Sequence, residues 1–242
     1  MGELREMPTD WTRALAIVAH PDDMEYGAAA AVAAWTAAGR EVAYLMVTRG
    51  EAGIDTIPPE ECAPLREAEQ RASAAVVGVE QVEFLDHRDG VVEAGVPLRR
   101  DLAAAIRRHR PELIITLNRR EYFQRGGWNS ADHRAVGESV LDAAADAGNR
   151  WIFPELLEQG LEPWPGVRWV ALAASPEATH AVDTTATMET AIASLVEHRT
   201  YIAALGDADP EVYARDFLTG SAAMGGERFG TRYATLFELV SV

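Results

Sequence analysis

The sequence contains no lysine, so all 22 of its basic residues are arginine. This absence excludes Schiff-base chemistry, a lysine that anchors pyridoxal phosphate and the lysine of a P-loop, because each needs an ε-amine. Basic charge is also outweighed, since 38 acidic residues leave a formal net charge of −16. We therefore expect neither nucleic acid nor an anionic membrane surface as a partner, because both bind basic protein faces.

Cysteine is represented by Cys62 alone, which excludes an internal disulfide. The sequence shows no signal-peptide pattern and no apolar run near the ~20 residues that a membrane-spanning helix needs. Together these features predict a cytoplasmic protein. A length of 242 residues predicts one α/β domain over residues 1–242, with a C-terminal appendage from about residue 207.

Apolar runs of strand length alternate with helical segments along the chain. They predict strands at residues 14–19, 41–48, 82–85, 113–117 and 169–173, and helices at residues 25–38, 65–77, 98–110, 132–147 and 187–205. The tail from residue 210 predicts a short helix, a glycine-rich turn and an edge strand at 233–240. This alternation predicts a Rossmann-like, mostly parallel sheet with helices on both faces. Such folds bind ligands beyond the carboxyl ends of their strands, so polar residues that follow strands are the candidate functional residues.

His20, Pro21, Asp22 and Asp23 directly follow the first predicted strand. Pro21 disfavours the helical region for His20, so the strand breaks there and the polar side chains lie at its mouth. A tight turn would bring His20 and Asp23 onto one metal ion and place Asp22 beside a bound water. Alternatively, Asp22 or Asp23 caps the following helix and His20 is a hydrogen-bonded residue at the rim.

A second polar pair, Asp132-His133, opens a helix after the loop 118–130 and lies at the same edge of the sheet. His133 can supply a third metal ligand, and Asp132 can orient a ligand through a hydrogen bond. Two histidines, one aspartate and an open position form a catalytic zinc set. The structural alternative makes Asp132 an acid of the first helical turn and His133 a surface residue.

Four stretches of the sequence together resemble one known family. Residues 19–23 (A-H-P-D-D) resemble the A-H-P-D-D-E signature of the LmbE-like, or PIG-L, zinc-dependent de-N-acetylases. The resemblance continues through residues 48–53 (T-R-G-E-A-G), 65–69 (L-R-E-A-E) and 131–136 (A-D-H-R-A-V), and it covers roughly residues 14–205. It implies the LmbE-like fold, and family members often form homo-oligomers.

The resemblance also implies roles for individual residues. It implies one Zn²⁺ ion per chain, bound by His20, Asp23 and His133, with Asp22 as the general base. It places Arg66 near the sugar of the substrate, whereas the helical pattern alone explains Arg66 as half of an exposed Arg–Glu pair. Asp89 follows the third predicted strand and is a second candidate for binding substrate, although a polar turn also explains it.

The chain departs from the family pattern at three positions. Met24 replaces the glutamate of the first signature, Ser130 replaces the first histidine of the H-P-D-H segment, and Trp128 stands where a tyrosine is frequent. In the family, that histidine and tyrosine stabilise the oxyanion or donate a proton. Ser130, Trp128 and Asp132 are therefore candidates for oxyanion or supporting roles, and Trp128 could also pack under a sugar ring or plug the pocket.

The predicted function is a zinc-dependent hydrolase that removes an acetyl or other acyl group from a small N-acylated amino sugar. One alternative is an amidase that acts on a thiol or antibiotic conjugate. Another is a metal- or sugar-binding protein that has lost catalysis, as the three departures suggest. A nucleotide-binding Rossmann domain is disfavoured, because H-P-D-D stands where its G-x-G-x-x-G turn would be.

Overall fold

The computed structural model describes residues 3–124 and 126–242. Within these ranges the strands are β1 (Arg5–Glu6), β2 (Arg13–Val18), β3 (Glu41–Met46), β4 (Gln81–Phe84), β5 (Leu113–Leu117), β6 (Trp169–Ala173), β7 (His180–Asp183) and β8 (Ala234–Ser241). The helices are α1 (Asp23–Gly27), α2 (Ala29–Ala37), α3 (Pro59–Val76), α4 (Val96–His109), α5 (Ala131–Gly148), α6 (Glu155–Glu158), α7 (Met188–Val196), α8 (Arg199–Leu205) and α9 (Pro210–Phe229). Among these described helices, none combines the length and apolar character needed to cross a membrane.

The strands form one sheet with the order β1-β7-β8-β6-β5-β2-β3-β4. Neighbours from β6 to β4 run parallel, and β8 runs antiparallel to both β6 and β7. The chain moves outward from β2 to β4 and then returns to place β5 on the other side of β2. This reversal opens a crevice at the carboxyl ends of β2 and β5. The predicted α/β class with a mostly parallel sheet is confirmed.

Both faces of the central sheet are buried under helices. Ala16 and Val18 of β2 pack with α2, α7 and α9, whereas Leu15 and Ile17 pack with α4 and α5 on the opposite face. Successive strand side chains point to opposite faces, so a strand covered on both sides needs an uninterrupted apolar run. This requirement explains why the sequence of β2 is apolar from Ala14 onward.

Two predicted helices are interrupted in the structure. The helix predicted at 25–38 is divided into α1 and α2 at Ala28, whose φ of −151° and ψ of 3° are not helical. The helix predicted at 187–205 is divided into α7 and α8 at residues 197–198. Sequence analysis also missed β1 and α6, which are two and four residues long. Such short elements depend on tertiary contacts more than on local pattern.

The beginning of α3 also differs from the prediction. The segment 49–64 is predicted as a loop because of its prolines and glycines, but α3 begins at Pro59. Proline is favoured at the first helical position, where its missing N–H leaves no internal hydrogen bond unmade. Pro58 and Pro59 therefore mark the beginning of this helix, and Pro64 lies inside it.

The C-terminal segment differs most from its prediction. The glycine-rich turn is wrong, because Gly225 and Gly226 lie inside α9, a helix of 20 residues. A Cβ on Gly226 would lie 2.5 Å from the Thr231 carbonyl oxygen, so glycine allows α9 to approach the chain that leads into β8. The strand predicted at 233–240 is present as β8, but its predicted edge position is wrong, because β8 is paired on both sides. Residues from 207 onward, predicted as an appendage, thus complete the sheet.

Candidate metal centre

The turn that follows β2 carries the first group of candidate residues. Asp22 adopts a left-handed φ of 82°, which aspartate tolerates better than most residues, and Asp23 begins α1. The backbone N–H of His20 donates to Asp23 Oδ2 at 2.8 Å, and that of Asp22 donates to Gln70 Oε1 at 2.7 Å. These two bonds hold the turn so that the His20 ring and the Asp23 carboxylate lie together.

The structure brings His133 to the same place from β5 and α5. His133 Nε2 lies 2.9 Å from Asp23 Oδ1 and 3.2 Å from His20 Nδ1. His20 Nδ1 lies 3.6 Å from Asp23 Oδ2. One ligand atom from each of the three residues therefore lies within 4.8 Å of the others, as a shared metal ion requires.

The hydrogen bonds around His20 fix which ring nitrogen carries its proton. His20 Nε2 lies 3.1 Å from Asp132 Oδ2. The Asp132 carboxylate also accepts backbone N–H bonds from Gly90 and Val92. Although burial raises the pKa of Asp132, hydrogen bonds from His20 and this backbone hold it below its ordinary value. An ionised carboxylate only accepts, so His20 Nε2 donates, and in the neutral ring Nδ1 carries the electron pair.

The same argument applies to His133. Its Nδ1 lies 2.9 Å from Asn129 Oδ1. The Asn129 amide nitrogen donates to the carbonyl oxygens of Asn118 and Arg120, which fixes its Oδ1 as the acceptor. His133 Nδ1 therefore donates, and its Nε2 also presents an electron pair to Asp23. Nothing local in the sequence pattern indicates this supporting contact from Asn129.

Two nitrogen electron pairs and one carboxylate thus face a single small volume. Such a group of electron donors is mutually repulsive unless a cation or a proton lies between them. Two imidazole nitrogens and one carboxylate oxygen, each with its other polar atoms hydrogen-bonded, match the donor set and support of catalytic zinc sites. The residues present therefore fit a bound divalent metal.

Protons compete with a metal for this position. Burial opposes a charge on His20, but Asp23, Asp132 and Asp89 around the ring raise its pKa well above the usual range. Asp89 Oδ1 lies 3.1 Å from His20 Nε2. A metal ion that binds Nδ1 must displace a proton held by these carboxylates, so metal affinity falls as the pH is lowered.

Asp22 lies beside this centre in a different environment. Its carboxylate is paired with Arg66, whose Nη2 donates to Asp22 Oδ2 at 2.8 Å and to the Pro21 carbonyl oxygen at 2.6 Å. Burial raises the pKa of Asp22 to about 6, against the opposing charges of Arg66 and His198. A carboxyl group with a pKa near neutrality is suited to accepting and returning a proton.

Arg66 is placed where it supports Asp22. It is 2% exposed, and its guanidinium lies 4.0 Å from the centre of the Tyr201 ring. A Cβ on Gly53 would lie 2.5 Å from Arg66 Nη1, so glycine is needed for the loop to cover this arginine. Arg66 lines the cavity described below, but its hydrogen bonds go to the turn after β2.

Two polar residues that sequence analysis missed, Gln70 and Ser73, lie on the same face of α3 as Arg66. Arg66, Gln70 and Ser73 are spaced by four and three residues, and all three are buried. Gln70 Nε2 and Ser73 Oγ both donate to Glu25 Oε1, and His198 lies 3.6 Å from Glu25 Oε2. A polar stripe at helical spacing was the signal that could have identified this buried layer.

The remaining predicted site residues lie around the metal ligands. Asp89 accepts a hydrogen bond from the Ala52 backbone at 2.8 Å and lines the cavity. Ser130 caps α5 by accepting from the His133 N–H at 3.1 Å, and it also lines the cavity. Both side chains are thus within the site and are held by the backbone.

Two of the positions that depart from the family pattern lie elsewhere. Trp128 is 61% exposed at the outer surface, where Arg134 lies 5.0 Å from its ring centre. Met24 is fully buried in the hydrophobic core. The glutamate that follows it, Glu25, points into the buried polar layer under Asp22. Neither Met24 nor Trp128 therefore alters the group of metal ligands directly.

A cavity of about 630 Å³ opens onto the metal ligands. Its polar end contains His20, Asp23, Asp89, Ser130 and His133. The volume lies within the range of pockets that bind small organic ligands. The arrangement therefore combines a metal donor set, a buried carboxylate with a raised pKa and room for a small molecule.

The comparisons with known proteins agree with this geometry. The model of the family described as PIG-L: GlcNAc-PI de-N-acetylase matches residues 15–144, more than half of the chain. The diacetylchitobiose deacetylase of Thermococcus kodakarensis is 27% identical over 163 residues, which are 66% of this chain and 60% of that protein. The chain spans between 47% and 60% of the length of three curated relatives, this one included.

Solved structures extend the similarity to nearly the whole chain. The N,N′-diacetylchitobiose deacetylase of Pyrococcus horikoshii superposes with a TM-score of 0.86 and 25% identity, covering 96% of this chain and 84% of that one. The 4-carboxy-2-hydroxymuconate hydratase of Pseudomonas putida has a TM-score of 0.73 and 18% identity, covering 95% and 96%. The second similarity concerns the fold alone. Together with the family match over residues 15–144, the sequence motifs and the shared fold establish that this chain belongs to the PIG-L family.

Proposed function

We propose that this protein is a metal-dependent hydrolase that removes an acyl group from a small N-acylated amino sugar. The observation that carries the proposal is the convergence of two imidazole electron pairs and the Asp23 carboxylate beside a buried Asp22. His20, Asp23 and His133 are the proposed ligands of one Zn²⁺ ion. The names of the relatives, which include deacetylases of N-acetylglucosamine compounds, support the same class of reaction.

Different residues of the chain have separate roles in the proposed amide hydrolysis. When bound, zinc supplies Lewis acidity that polarises the amide carbonyl and makes water a stronger acid. Asp22 accepts a proton from the attacking water and returns it to the departing nitrogen, so that a carboxylic acid and a free amine result. Arg66 keeps Asp22 oriented and ionised at neutral pH, and Asp132 and Asn129 keep the two histidine rings in position.

Asp89 is the proposed contact for the hydroxyl groups of the sugar. Its carboxylate lines the polar end of the cavity, on the side formed by the loops after β3 and β4. Arg66, the other predicted substrate contact, acts in this proposal through Asp22. Ser130 lies at the cavity wall close to His133, where its hydroxyl is available to the developing oxyanion.

The first test combines metal analysis with hydrolysis of N-acetylglucosaminyl compounds. We expect about one zinc per chain, and we expect Asp22→Asn to lower kcat by roughly 10²–10⁴-fold with the metal retained. The matched control is Asp86→Asn, because the Asp86 side chain is 88% exposed at the same edge of the sheet. It should leave kcat unchanged.

Other outcomes would favour the alternatives. Metal binding without acid release from any N-acetyl sugar would favour a binding protein without catalysis. Release only from thiol or antibiotic conjugates would favour the amidase. Wild-type protein that retains no metal, or an Asp22→Asn variant as active as wild type, would contradict the proposed mechanism.

A further inference from the structure

The cavity continues well beyond the proposed metal ligands into the interior of the fold. We call this part the inner lobe and define it by six lining side chains of α2, α7, α9 and β8: Ala30, Met188, Ala191, Leu218, Ala222 and Leu236. Each of the six is at most 8% exposed. These six side chains give this part of the cavity a largely apolar wall, and Ser221 and Thr235, which adjoin two of them in sequence, also line the cavity.

The length of the inner lobe follows from the order of the strands. β8 lies three strands away from β2, and adjacent strands are ~4.8 Å apart, so the lobe extends on the order of 14 Å from the strand that precedes His20. Tyr26, three residues after Asp23, also joins the two ends of the cavity. Its ring meets Phe217 of α9 edge to face at 4.9 Å, and its hydroxyl bonds to that of Tyr213.

An amide substrate has two substituents, and they differ in polarity. The amino-sugar side carries hydroxyl groups, and burying these without partners is unfavourable. The acyl side carries only carbon and hydrogen beyond the carbonyl group. The polar end of the cavity, with Asp89 and Ser130, suits the sugar, and the inner lobe suits a hydrocarbon chain.

We propose that the inner lobe binds the acyl chain of the substrate, and that the preferred substrates carry linear acyl groups longer than acetyl. This inference rests on the proposed function, because it assigns one part of the substrate to one end of the same cavity. An acetyl group ends in a single methyl and would leave the six apolar walls of the lobe unfilled. A longer chain would bury its methylene groups there and gain free energy with each one.

The test is a series of glucosamines that carry N-acetyl, N-butanoyl, N-hexanoyl and N-octanoyl groups. We expect kcat/KM of the zinc-loaded protein to rise roughly fourfold per added methylene while the lobe has room. A parallel series of N-acetyl glucosamines with alkyl chains of the same lengths on the anomeric oxygen should remain flat. The two series distinguish an acyl chain from an apolar aglycone.

Two neighbouring alanines of α9 provide matched variants. Ala222 lines the inner lobe, whereas Ala223 lies outside the cavity lining. The same alanine-to-leucine substitution at the two sites therefore differs only in whether the added side chain enters the lobe. Ala222→Leu should lower the ratio of octanoyl to acetyl kcat/KM by roughly tenfold or more, and Ala223→Leu should leave that ratio unchanged. If Ala222→Leu fails to fold, wild type alone still tests the lobe, because octanoate should inhibit or bind much more tightly than acetate.

The outcomes separate the inference from the proposed function. Acetate release with a flat or falling N-acyl series overturns the inference and leaves the proposed function intact. A rise confined to the alkyl glycosides also overturns it. If zinc-loaded protein hydrolyses no N-acyl glucosamine, the proposed function fails, and carboxylate binding still decides whether the lobe accepts hydrocarbon chains. Equal binding of acetate and octanoate would then overturn the inference as well.

Discussion

The two ends of the cavity are built in opposite ways. At the metal end, the ligands come from two short segments, residues 20–23 and 129–133, and each side chain is held by named hydrogen bonds. The inner lobe is formed by α2, α7, α9 and β8, which are far apart in the sequence and contribute apolar walls. The comparison shows that directional bonds position the reacting groups, while packing of distant elements shapes the space for the substrate.

The largest effect on stability should come from breaking the buried pair behind the metal end. Arg66→Met should lower the free energy of unfolding by about 3–5 kcal/mol, because it leaves Asp22 buried without its counter-charge. The control is Arg71→Met on the same helix, since Arg71 is exposed. Urea unfolding measures both.

The pH dependence of this loss sharpens the prediction. The pKa of Asp22 is about 6, so the carboxylate needs Arg66 only above that value. Without Arg66 the pKa of Asp22 is higher still, so the loss should be full at high pH, shrink as the pH falls toward about 6, and lose its charge-dependent part below that, where Asp22 is protonated in both proteins. Adding Asp22→Asn to Arg66→Met should restore part of the stability. A loss that is independent of pH and of Asp22 would contradict the pairing.

A smaller effect is expected where the metal ligands are supported from outside. Asp132→Asn should weaken zinc binding by roughly 10–100-fold, because the His20 ring loses a charged acceptor. Competition with a chromogenic chelator measures the affinity. The control is Asp142→Asn, because Asp142 lies on the same helix and its side chain is 55% exposed. This variant should leave the zinc affinity unchanged. Equal zinc affinities in the two variants would show that Asp132 does not support the metal site.

The smallest predicted effect concerns the backbone packing of α9, the helix that contributes Leu218 and Ala222 to the inner lobe. Gly226→Ala should lower the free energy of unfolding by about 1–3 kcal/mol, because its Cβ would meet the carbonyl oxygens of Thr231 and Arg232 at 2.5 and 2.6 Å. Gly220→Ala on the same helix has open space and should raise it by about 0.4–1 kcal/mol. Thermal unfolding measures both changes. An increase in both variants would show that backbone propensity, and not the close approach of α9 to residues 231 and 232, controls stability at this position.

Much of the metal end could be predicted because its information is local. The residue order His20-Pro21-Asp22-Asp23 places polar groups after a strand, and the topology of parallel sheets brings Asp132 and His133 to the same edge. The roles of these residues in binding and catalysis remain predictions. The glycines of α9 were misinterpreted because glycine in a sequence does not distinguish a turn from a helix that approaches another backbone closely.

The α/β class and the family could be identified from residues alone, since apolar periodicity and contiguous motifs require no knowledge of contacts. The convergence of the His20 and His133 electron pairs depends on tertiary contacts. Asp132, more than 100 residues from His20 in the sequence, sets the tautomer of that ring, and Asn129 sets that of His133. The tertiary structure also decided that α9 and β8 close an apolar lobe beside the metal centre. Packing between elements distant in sequence depends on shape, which no local pattern encodes.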